Sequence, residues 1–256
     1  MSAARARPGR AARLRAVLVV VPVHDEEALL PACLAALRRA VARLAAERPE
    51  LEVSVSVVLD GCTDGSAEVV RASGLPSLVT PRLGVGAARA VGVDAAEHGL
   101  PEPAVHGQAC RPGTARTWLV CTDADSEVPE HWLVRQVELA EAGADVVVGT
   151  VRPRVEDLSP GRAAAWLANH EPGRANGHVH GANLGVRLSV YRATGGFAPL
   201  PEHEDVALVE AARRAGARVV PDAAGEVLTS ARLVGRTPGG YARHLREDLV
   251  PDDRTA

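Results

Sequence analysis

Apolar runs rich in β-branched residues alternate with longer amphipathic segments along most of this sequence, and this order restricts the fold most strongly. Residues 17–23 form a continuous run, as expected for a strand that is covered on both faces. Residues 51–59, 77–81, 118–121 and 145–151 are predicted as further strands, most of them followed by a segment with helical periodicity. This succession predicts an α/β fold with a mostly parallel central sheet flanked by helices on both faces.

Helices are expected between these strands. In the first, Asp25, Glu26 and Glu27 are expected to lie in the opening turn, where acidic side chains complement the helix dipole. The other predicted helices start at about residue 67 and cover 84–98, 129–142, 163–169 and 204–215, and residues 184–192 and 218–220 complete the body. Residues 99–116 are predicted to be a surface insertion, and the pattern from 153 to 180 is weak.

The 256 residues could form one large α/β domain or two small ones. We find no internal repeat and no low-complexity linker, so a single domain is expected over residues 16–246. The arginine-rich residues 1–15 are expected to form a flexible basic tail, and residues 247–256 a C-terminal tail.

Composition narrows the possible partners and the compartment. A formal net charge of −3 gives no basis for a nucleic acid partner. No segment approaches the ~20 apolar residues of a membrane span, so no integral membrane segment is expected. The basic amino terminus leaves peripheral membrane attachment as a hypothesis. The four cysteines show no CxxC spacing, which favours reduced thiols and a cytoplasmic protein.

Acidic residues follow three of the predicted strands: Asp25 and Glu26 after the first, Asp60 at the end of the second, and Asp123 and Asp125 after the fourth. Ligands of such sheets bind beyond the carboxyl ends of the strands. At about 7 Å and an effective dielectric constant near 20, each pair of carboxylates repels by roughly 2 kcal/mol. A cation together with a hydroxyl-rich ligand would relieve this repulsion.

The spacing of Asp123 and Asp125 predicts different roles for the two carboxylates. Residues i and i+2 of an extended segment point to the same face, with Cα atoms roughly 6.5–7 Å apart. Both carboxylates reach one Mg²⁺, at about 2.1 Å from each oxygen, only if the backbone turns there. We therefore expect one aspartate on a metal and the other on a ligand hydroxyl. The alternative is an Asp-rich turn that caps the next helix.

Ordered blocks of residues resemble family-2 glycosyltransferases of the GT-A fold, from about residue 16 to residue 246. The blocks are VVVPVHDEE (19–27), VVLDGCTDGS (57–66), GAAR (86–89), DADS (123–126), GANL (181–184), GGF (195–197) and Glu204-Asp205. The chain departs from the family pattern at Leu59, Cys62 and Ala90, where many members have Asp, Ser and Asn. These departures concern the contacts to the base of the donor.

The resemblance implies transfer of a sugar from a nucleoside-diphosphate donor to an acceptor hydroxyl. Asp125 is then expected to hold Mg²⁺ or Mn²⁺ and Asp123 a ribose or sugar hydroxyl, while Arg89 contacts a donor phosphate. Asp60 is expected to accept a hydrogen bond from the nucleoside. The remaining donor-site residues are expected to be Pro22 and His24, as the wall beside the base, and Glu26, which either contacts the nucleoside or sits in the first helical turn.

Asp205 is the predicted general base, because the attacking hydroxyl must lose a proton and a nearby carboxylate can take it. Glu204 on the acceptor side and His203 stay open as alternatives. Asn183 is expected to help position the acceptor or the donor sugar. His178 and His180 alternate in a glycine-rich loop, for which an acceptor pocket is favoured over a metal site.

A single base opposite the leaving group implies inversion at the anomeric carbon. Two other reactions stay open on a similar fold, namely a retaining transferase and, less favoured, a sugar-phosphate nucleotidyltransferase. The latter usually has a glycine-rich basic loop directly after the first strand, where this chain has Pro22 to Glu27. A non-catalytic sugar-nucleotide-binding protein is a further alternative. The acceptor cannot be read from the residues.

Overall fold

The computed structural model describes residues 13–98, 113–236 and 239–249. Within these residues seven strands form one sheet. They are β1 (Ala16–Val23), β2 (Glu52–Asp60), β3 (Ser77–Thr80), β4 (Thr117–Cys121), β5 (Val146–Pro153), β6 (Leu184–Arg187) and β7 (Val219–Thr229). Their order across the sheet is β3-β2-β1-β4-β6-β5-β7.

The sheet is mostly parallel, as predicted. β1 pairs in parallel with β2 and β4, β2 with β3, and β5 with β7. β6 runs in the opposite direction and pairs antiparallel with β4 and β5. Consequently the carboxyl ends of the six parallel strands and the amino end of β6 meet at the same edge of the sheet.

Helices cover both faces of the sheet, which confirms the predicted layers. They are α1 (Leu30–Glu47), α2 (Ser66–Ser73), α3 (Val85–His98), α4 (Trp132–Glu141), α5 (Pro160–Asn169), α6 (Leu188–Ala193), α7 (Glu204–Arg214) and α8 (Tyr241–Arg243), which continues as a π-helical turn, His244–Asp248. No helix among the described residues is both long enough and apolar enough to cross a membrane.

The side chains of β1 alternate between two apolar layers, as the pleat of a strand requires. Val19 and Val21 belong to the layer that contains α1 and α4. Leu18 and Val20 belong to the opposite layer, with α3, α6 and α7. All four are fully buried. This two-sided burial explains why the first strand is a continuous apolar run rather than an alternating one.

The first helix begins later than predicted. α1 starts at Leu30, with Pro31 in its first turn, where a fixed φ and a missing N–H are tolerated. Asp25 is not helical, because its φ is +51° and its carboxylate accepts the N–H of Thr63 at 2.7 Å. The acidic residues 25–27 therefore form a loop against the turn after β2, not the first turn of a helix.

The last strand is much longer than the predicted 218–220. β7 continues past Pro221 and Gly225, residues that usually interrupt strands, because an irregularity in its pairing with β5 between Gly149 and Val151 absorbs them. Residues 184–192 were expected as one element and instead form β6 followed by α6. The length of β7 carries its last residues to the edge where β1, β2 and β4 end.

The folded body extends beyond residues 16–246 at both ends. Leu14 is fully buried, and the N–H of Arg15 donates to the carbonyl of Arg116 at 2.8 Å. Leu249 is 3% exposed and packs in a small cluster around Trp166. The rest of both expected tails, residues 1–12 and 250–256, and residues 99–112 of the expected insertion lie outside the described residues.

Candidate active site

A cavity of about 1110 Å³ opens at the edge where β1, β2 and β4 end. Nine residues that the sequence nominated line it: Pro22, His24, Glu26, Asp60, Arg89, Asp123, Asp125, Glu204 and Asp205. Only Asn183 of the nominated residues does not. The sequence therefore predicted which segments converge, and the contacts described below decide what each side chain can do.

Strand register brings the first two segments together. Val23 pairs with Leu59, so His24 and Asp60 follow side by side, and Nδ1 of His24 lies 2.8 Å from the carbonyl oxygen of Asp60. On the other side of β1, the N–H of Thr122 donates to the carbonyl of Val20. The loop that carries the two aspartates thus leaves the sheet beside β1.

Asp60 is a buried residue that anchors the entry to α3. Its carboxylate accepts the N–H of Leu83 at 2.6 Å, the N–H of Gly84 at 3.0 Å and the hydroxyl of Thr80 at 3.1 Å. The side chain is 3% exposed, and Arg82 lies 3.9 Å away. Asp60 shapes the cavity wall by holding this loop, and a nucleoside would share a carboxylate that already has three donors.

Arg89 lines the cavity, but its side chain is almost completely buried. Its side chain is 3% exposed and pairs with the buried Glu204 and with Asp123. Burial alone would lower the pKa of Arg89, but the carboxylates of Asp123 and Glu204 raise it above its ordinary value. The expected contact between Arg89 and a donor phosphate stays a prediction, and it would require the guanidinium to leave one of its two carboxylates.

Glu204 is held by the same ion pair. Its side chain is 4% exposed, and burial raises its pKa while the adjacent Arg89 opposes the increase. The expected acceptor-side role of Glu204 stays a prediction, which this ion pair disfavours. Gly181 fits closely against this pair, because a Cβ at this position would lie 2.2 Å from Nη2 of Arg89.

Asp125 is held by residues that follow β7. Ser230 donates to its Oδ2 at 2.7 Å and Arg232 lies 2.8 Å from the same oxygen, while Ser126 donates to Oδ1 at 3.1 Å. The Asp125 side chain is 10% exposed. The two aspartates thus have separate partners, Arg89 for Asp123 and Arg232 for Asp125.

Glu26 shares the second arginine. Its Oε1 accepts from Arg232 at 2.6 Å and from Arg236 at 3.2 Å, and its backbone N–H donates to the hydroxyl of Ser66 at 2.9 Å. The side chain is 7% exposed, and burial raises its pKa. Glu26 therefore neither sits in a first helical turn nor turns towards a nucleoside. It fixes the segment after β7 against the loop after β1.

The residues around Asp125 fit a divalent cation of the kind that Mg²⁺ and Mn²⁺ sites hold. Such ions are bound through one or two carboxylates with substrate phosphates completing the shell. Neither of the two three-ligand clusters that the described residues form includes Asp125. However, Asp125 lines the cavity, and the Arg232 that pairs with its Oδ2 is 30% exposed, so a cation at this carboxylate would have to displace that guanidinium.

Asp205 is the carboxylate of the predicted acidic pair that faces the cavity. Its Oδ2 accepts the N–H of Gly181 at 2.7 Å, which orients the group beside the histidine-rich loop. The alternative base His203 is exposed and has a φ of +61°, a conformation that few non-glycine residues adopt. Of the three alternatives, Asp205 alone is both accessible to the cavity and oriented by a backbone hydrogen bond.

Asn183 belongs to the core and not to the cavity. It is 1% exposed, and its Oδ1 accepts the indole N–H of Trp132 at 2.8 Å. Its amide group donates to the carbonyls of Thr150 at 2.9 Å and Gly225 at 2.8 Å. The expected contact with acceptor or donor sugar stays a prediction, which this burial disfavours, since every polar group of the side chain joins β5, β7 and α4.

Sequence reasoning missed most of a second region, which we call the histidine-rich half. It consists of Trp166, His170, His178, His180, His203, Tyr241 and His244, all lining the cavity. His170 stacks on Trp166 at 4.0 Å between ring centroids, the indole N–H of Trp166 donates to the hydroxyl of Tyr241 at 3.2 Å, and His180 meets the ring of Tyr241 edge-on at 5.5 Å. The sequence contains only three Trp, two Tyr and one Phe, and this scarcity was the signal that could have drawn attention to Trp166 and Tyr241.

Comparison with known proteins agrees with this architecture. The chain matches the family described as "Glycosyl transferase family 2" over residues 18–187. It is 34% identical, over 188 residues, to undecaprenyl-phosphate 4-deoxy-4-formamido-L-arabinose transferase from Aeromonas hydrophila, covering 70% of this chain and 49% of the relative. The chain thus spans about half the length of that protein.

Solved structures share the fold at low sequence identity. The mannosyltransferase PcManGT from Pyrobaculum calidifontis, in complex with GDP-Man and Mn²⁺, has a TM-score of 0.58 at 21% identity, covering 94% of this chain and 62% of that one. Glucosyl-3-phosphoglycerate synthase from Mycobacterium tuberculosis, with Mn²⁺, UDP and glucosyl-3-phosphoglycerate, has a TM-score of 0.52 at 18% identity, covering 84% and 72%. Since the family match extends over more than half of its length and the fold is that of GT-A enzymes, this chain belongs to glycosyltransferase family 2.

Proposed function

We propose that this protein transfers a sugar from a nucleoside-diphosphate sugar to a hydroxyl group of an acceptor. One observation carries the proposal: a single cavity joins Asp60 after β2, Asp125 after β4 and Asp205 at the start of α7. Two solved relatives hold GDP-Man or UDP together with Mn²⁺, which supports a nucleotide sugar as donor. Family membership favours this reaction over nucleotidyl transfer.

The donor is placed in the half of the cavity formed by β1, β2 and β4. Pro22 and His24 form its wall beside the base, and the loop held by Asp60 closes the adjacent side. Asp125 would hold Mg²⁺ or Mn²⁺, and the ion would supply positive charge for the departing diphosphate. The side chains of Arg232 and Arg236 also line the cavity and are 30% and 48% exposed, so they can add positive charge for the diphosphate.

Asp205 is proposed to take the proton of the attacking hydroxyl. As the acceptor oxygen bonds to the anomeric carbon, the bond to the diphosphate breaks and the proton passes to the carboxylate. Attack from the face opposite the leaving group inverts the anomeric centre. NMR of the product decides this point, because a retained configuration would exclude Asp205 as the base of a single displacement.

Release of nucleoside diphosphate from a panel of nucleotide sugars, with Mn²⁺ present and absent, tests the function. Asp125→Ala is expected to abolish the metal-dependent turnover. Asp205→Asn is expected to lower it by about 10²–10⁴-fold with donor affinity preserved, since a general base contributes about that much. Asp157→Asn, at an exposed position, is the matched control.

Two results would contradict the proposal. Full activity of Asp125→Ala with metal would remove the metal assignment. Release of pyrophosphate from a nucleoside triphosphate, with no turnover of nucleotide sugars, would replace glycosyl transfer by nucleotidyl transfer.

A further inference from the structure

The two halves of the cavity differ in charge. Four arginines line the cavity: Arg82, Arg89, Arg232 and Arg236. All four pair with carboxylates of the donor half or of the buried network, Arg82 with Asp60 and the other three as described above. The chain contains no lysine, so arginine is its only fixed cationic side chain.

The histidine-rich half has fixed negative charge instead. Glu202, Asp205 and Asp248 line it, and among the described residues none of its lining side chains is an arginine. Residues 237–238, which lie outside the described residues, are Thr-Pro and carry no charge. A bound anion would face these carboxylates with no permanent cation to offset them.

Three of the imidazoles are either buried or placed beside a carboxylate. Burial lowers the pKa of His180 to about 4, so this ring is neutral near pH 7. His170 lies 3.3 Å from Glu226 and His244 lies 2.9 Å from Asp248. A carboxylate therefore lies beside each of these two rings and adds to the negative charge around this half.

Neutral, hydroxyl-rich groups match what this half does offer. Trp166 and Tyr241 supply aromatic surface fixed by their mutual hydrogen bond, and the neutral imidazole of His180 can both donate and accept. Exposed amides at Asn169 and Asn176 add further donors and acceptors along the same wall. Apolar walls with a few polar groups are what small-molecule sites use to orient uncharged ligands.

We propose that the acceptor is an uncharged, hydroxyl-rich group, a sugar or another polyol, and that acceptors carrying a phosphate at the reacting end are disfavoured. The proposal rests on the proposed function, because it assigns the acceptor of the same site. Asp205 then meets a hydroxyl in surroundings that tolerate no second anion close to the base.

The experiment first identifies a nucleotide sugar that the protein hydrolyses slowly in the absence of acceptor. Acceptors are then added to that reaction. The neutral probes are methyl α-mannoside, methyl α-glucoside and myo-inositol. The charged probes are glycerol 3-phosphate, 3-phosphoglycerate and a short-chain polyprenyl phosphate in detergent. We expect the neutral probes to be glycosylated with kcat/KM at least about tenfold above any charged probe.

Two variants make the test specific to this half. Asn176→Arg adds a fixed cation at an exposed position. It should lower the ratio of kcat/KM for neutral acceptors to kcat/KM for charged acceptors by about tenfold. Tyr241→Leu should raise the KM for the neutral acceptor by about tenfold, whereas Leu167→Ala, an exposed change on α5 next to Trp166, should not.

Each result has a clear meaning. Equal or better use of a phosphorylated acceptor by the unmodified protein would overturn the acceptor proposal and leave glycosyl transfer standing. A donor that is neither hydrolysed nor transferred, across the panel, would overturn the proposed function and the acceptor proposal with it.

Discussion

Replacement of Arg89 by methionine tests whether one buried cation holds the centre of the site together. The guanidinium is 3% exposed and pairs with Glu204, whose side chain is 4% exposed, and with Asp123, which is 36% exposed. Removing one partner of a buried ion pair leaves an uncompensated charge and costs about 3–5 kcal/mol. For a chain of this size that loss lowers Tm by roughly 6–20 °C.

The loss should depend on pH, and the sign follows from Glu204. Burial raises the pKa of this carboxyl above that of the unfolded chain, and without Arg89 the main influence that opposes the increase is gone. Between the two pKa values the folded protein then binds more protons than the unfolded chain, so the free energy of unfolding rises as pH falls. The variant should therefore be least stable at about pH 8 and recover towards pH 5.

Urea unfolding followed by circular dichroism measures both effects. Adding Glu204→Gln to Arg89→Met should restore part of the stability and remove the pH dependence, because a neutral amide replaces the stranded charge. Arg192→Met is the matched control: this arginine also has two carboxylate partners, Asp94 and Glu97, but is 38% exposed. It should cost less than about 1 kcal/mol. Equal costs for the two arginine variants would refute the reasoning.

Three further changes test other contacts. Arg232→Gln should tighten binding of Mn²⁺ to the donor-free protein by about tenfold, because the guanidinium no longer competes at Asp125. Arg236→Gln, which removes an ion pair with Glu26 and not one with Asp125, should have the smaller effect. A calorimetric titration that finds no difference between the two variants would disprove this competition. Asn183→Ala should lower the free energy of unfolding by about 1–3 kcal/mol, since it strands the indole N–H of Trp132, and leave the acceptor KM unchanged; a selective increase in KM would restore the acceptor role. Burial lowers the pKa of His180 to about 4, below its ordinary 6.5, and the ring faces Asp205, His178 and His244. As pH falls the unfolded chain binds this proton first, so the free energy of unfolding should decline between about pH 6.5 and 4 by up to about 3 kcal/mol, and His180→Gln should remove that decline. A His180 imidazole that titrates near 6.5 by NMR would contradict this.

The sequence predicted the convergence of the site because convergence follows from local order. Asp60 and Asp125 come directly after strands, and the acidic pair at 204–205 opens a helix, so a parallel sheet alone brings the first two to one edge. The register of β1 and β2, with Val23 beside Leu59, then places His24 next to Asp60.

What could not be predicted depends on contacts between distant segments. Nothing in the local sequence around Arg89 distinguishes a buried guanidinium from one that points at a ligand, because the difference lies in Glu204, 115 positions away. Asn183 has the same ambiguity, which Trp132 resolves from α4. Trp166 and Tyr241 lie 75 positions apart, and neither belongs to a recognised motif.

The reversed direction of β6 separates the parts of the chain that shape the two halves of the cavity. Because its amino end lies at the active edge, the whole segment between β5 and β6 can lengthen or shorten outside the sheet, and so can the chain after β7. Those segments carry most of the histidine-rich half, whereas β1, β2 and β4 carry the acidic residues of the donor half. A lineage built on this scaffold can therefore exchange the molecule that receives the sugar by remodelling surface loops, with the machinery for the activated sugar left intact.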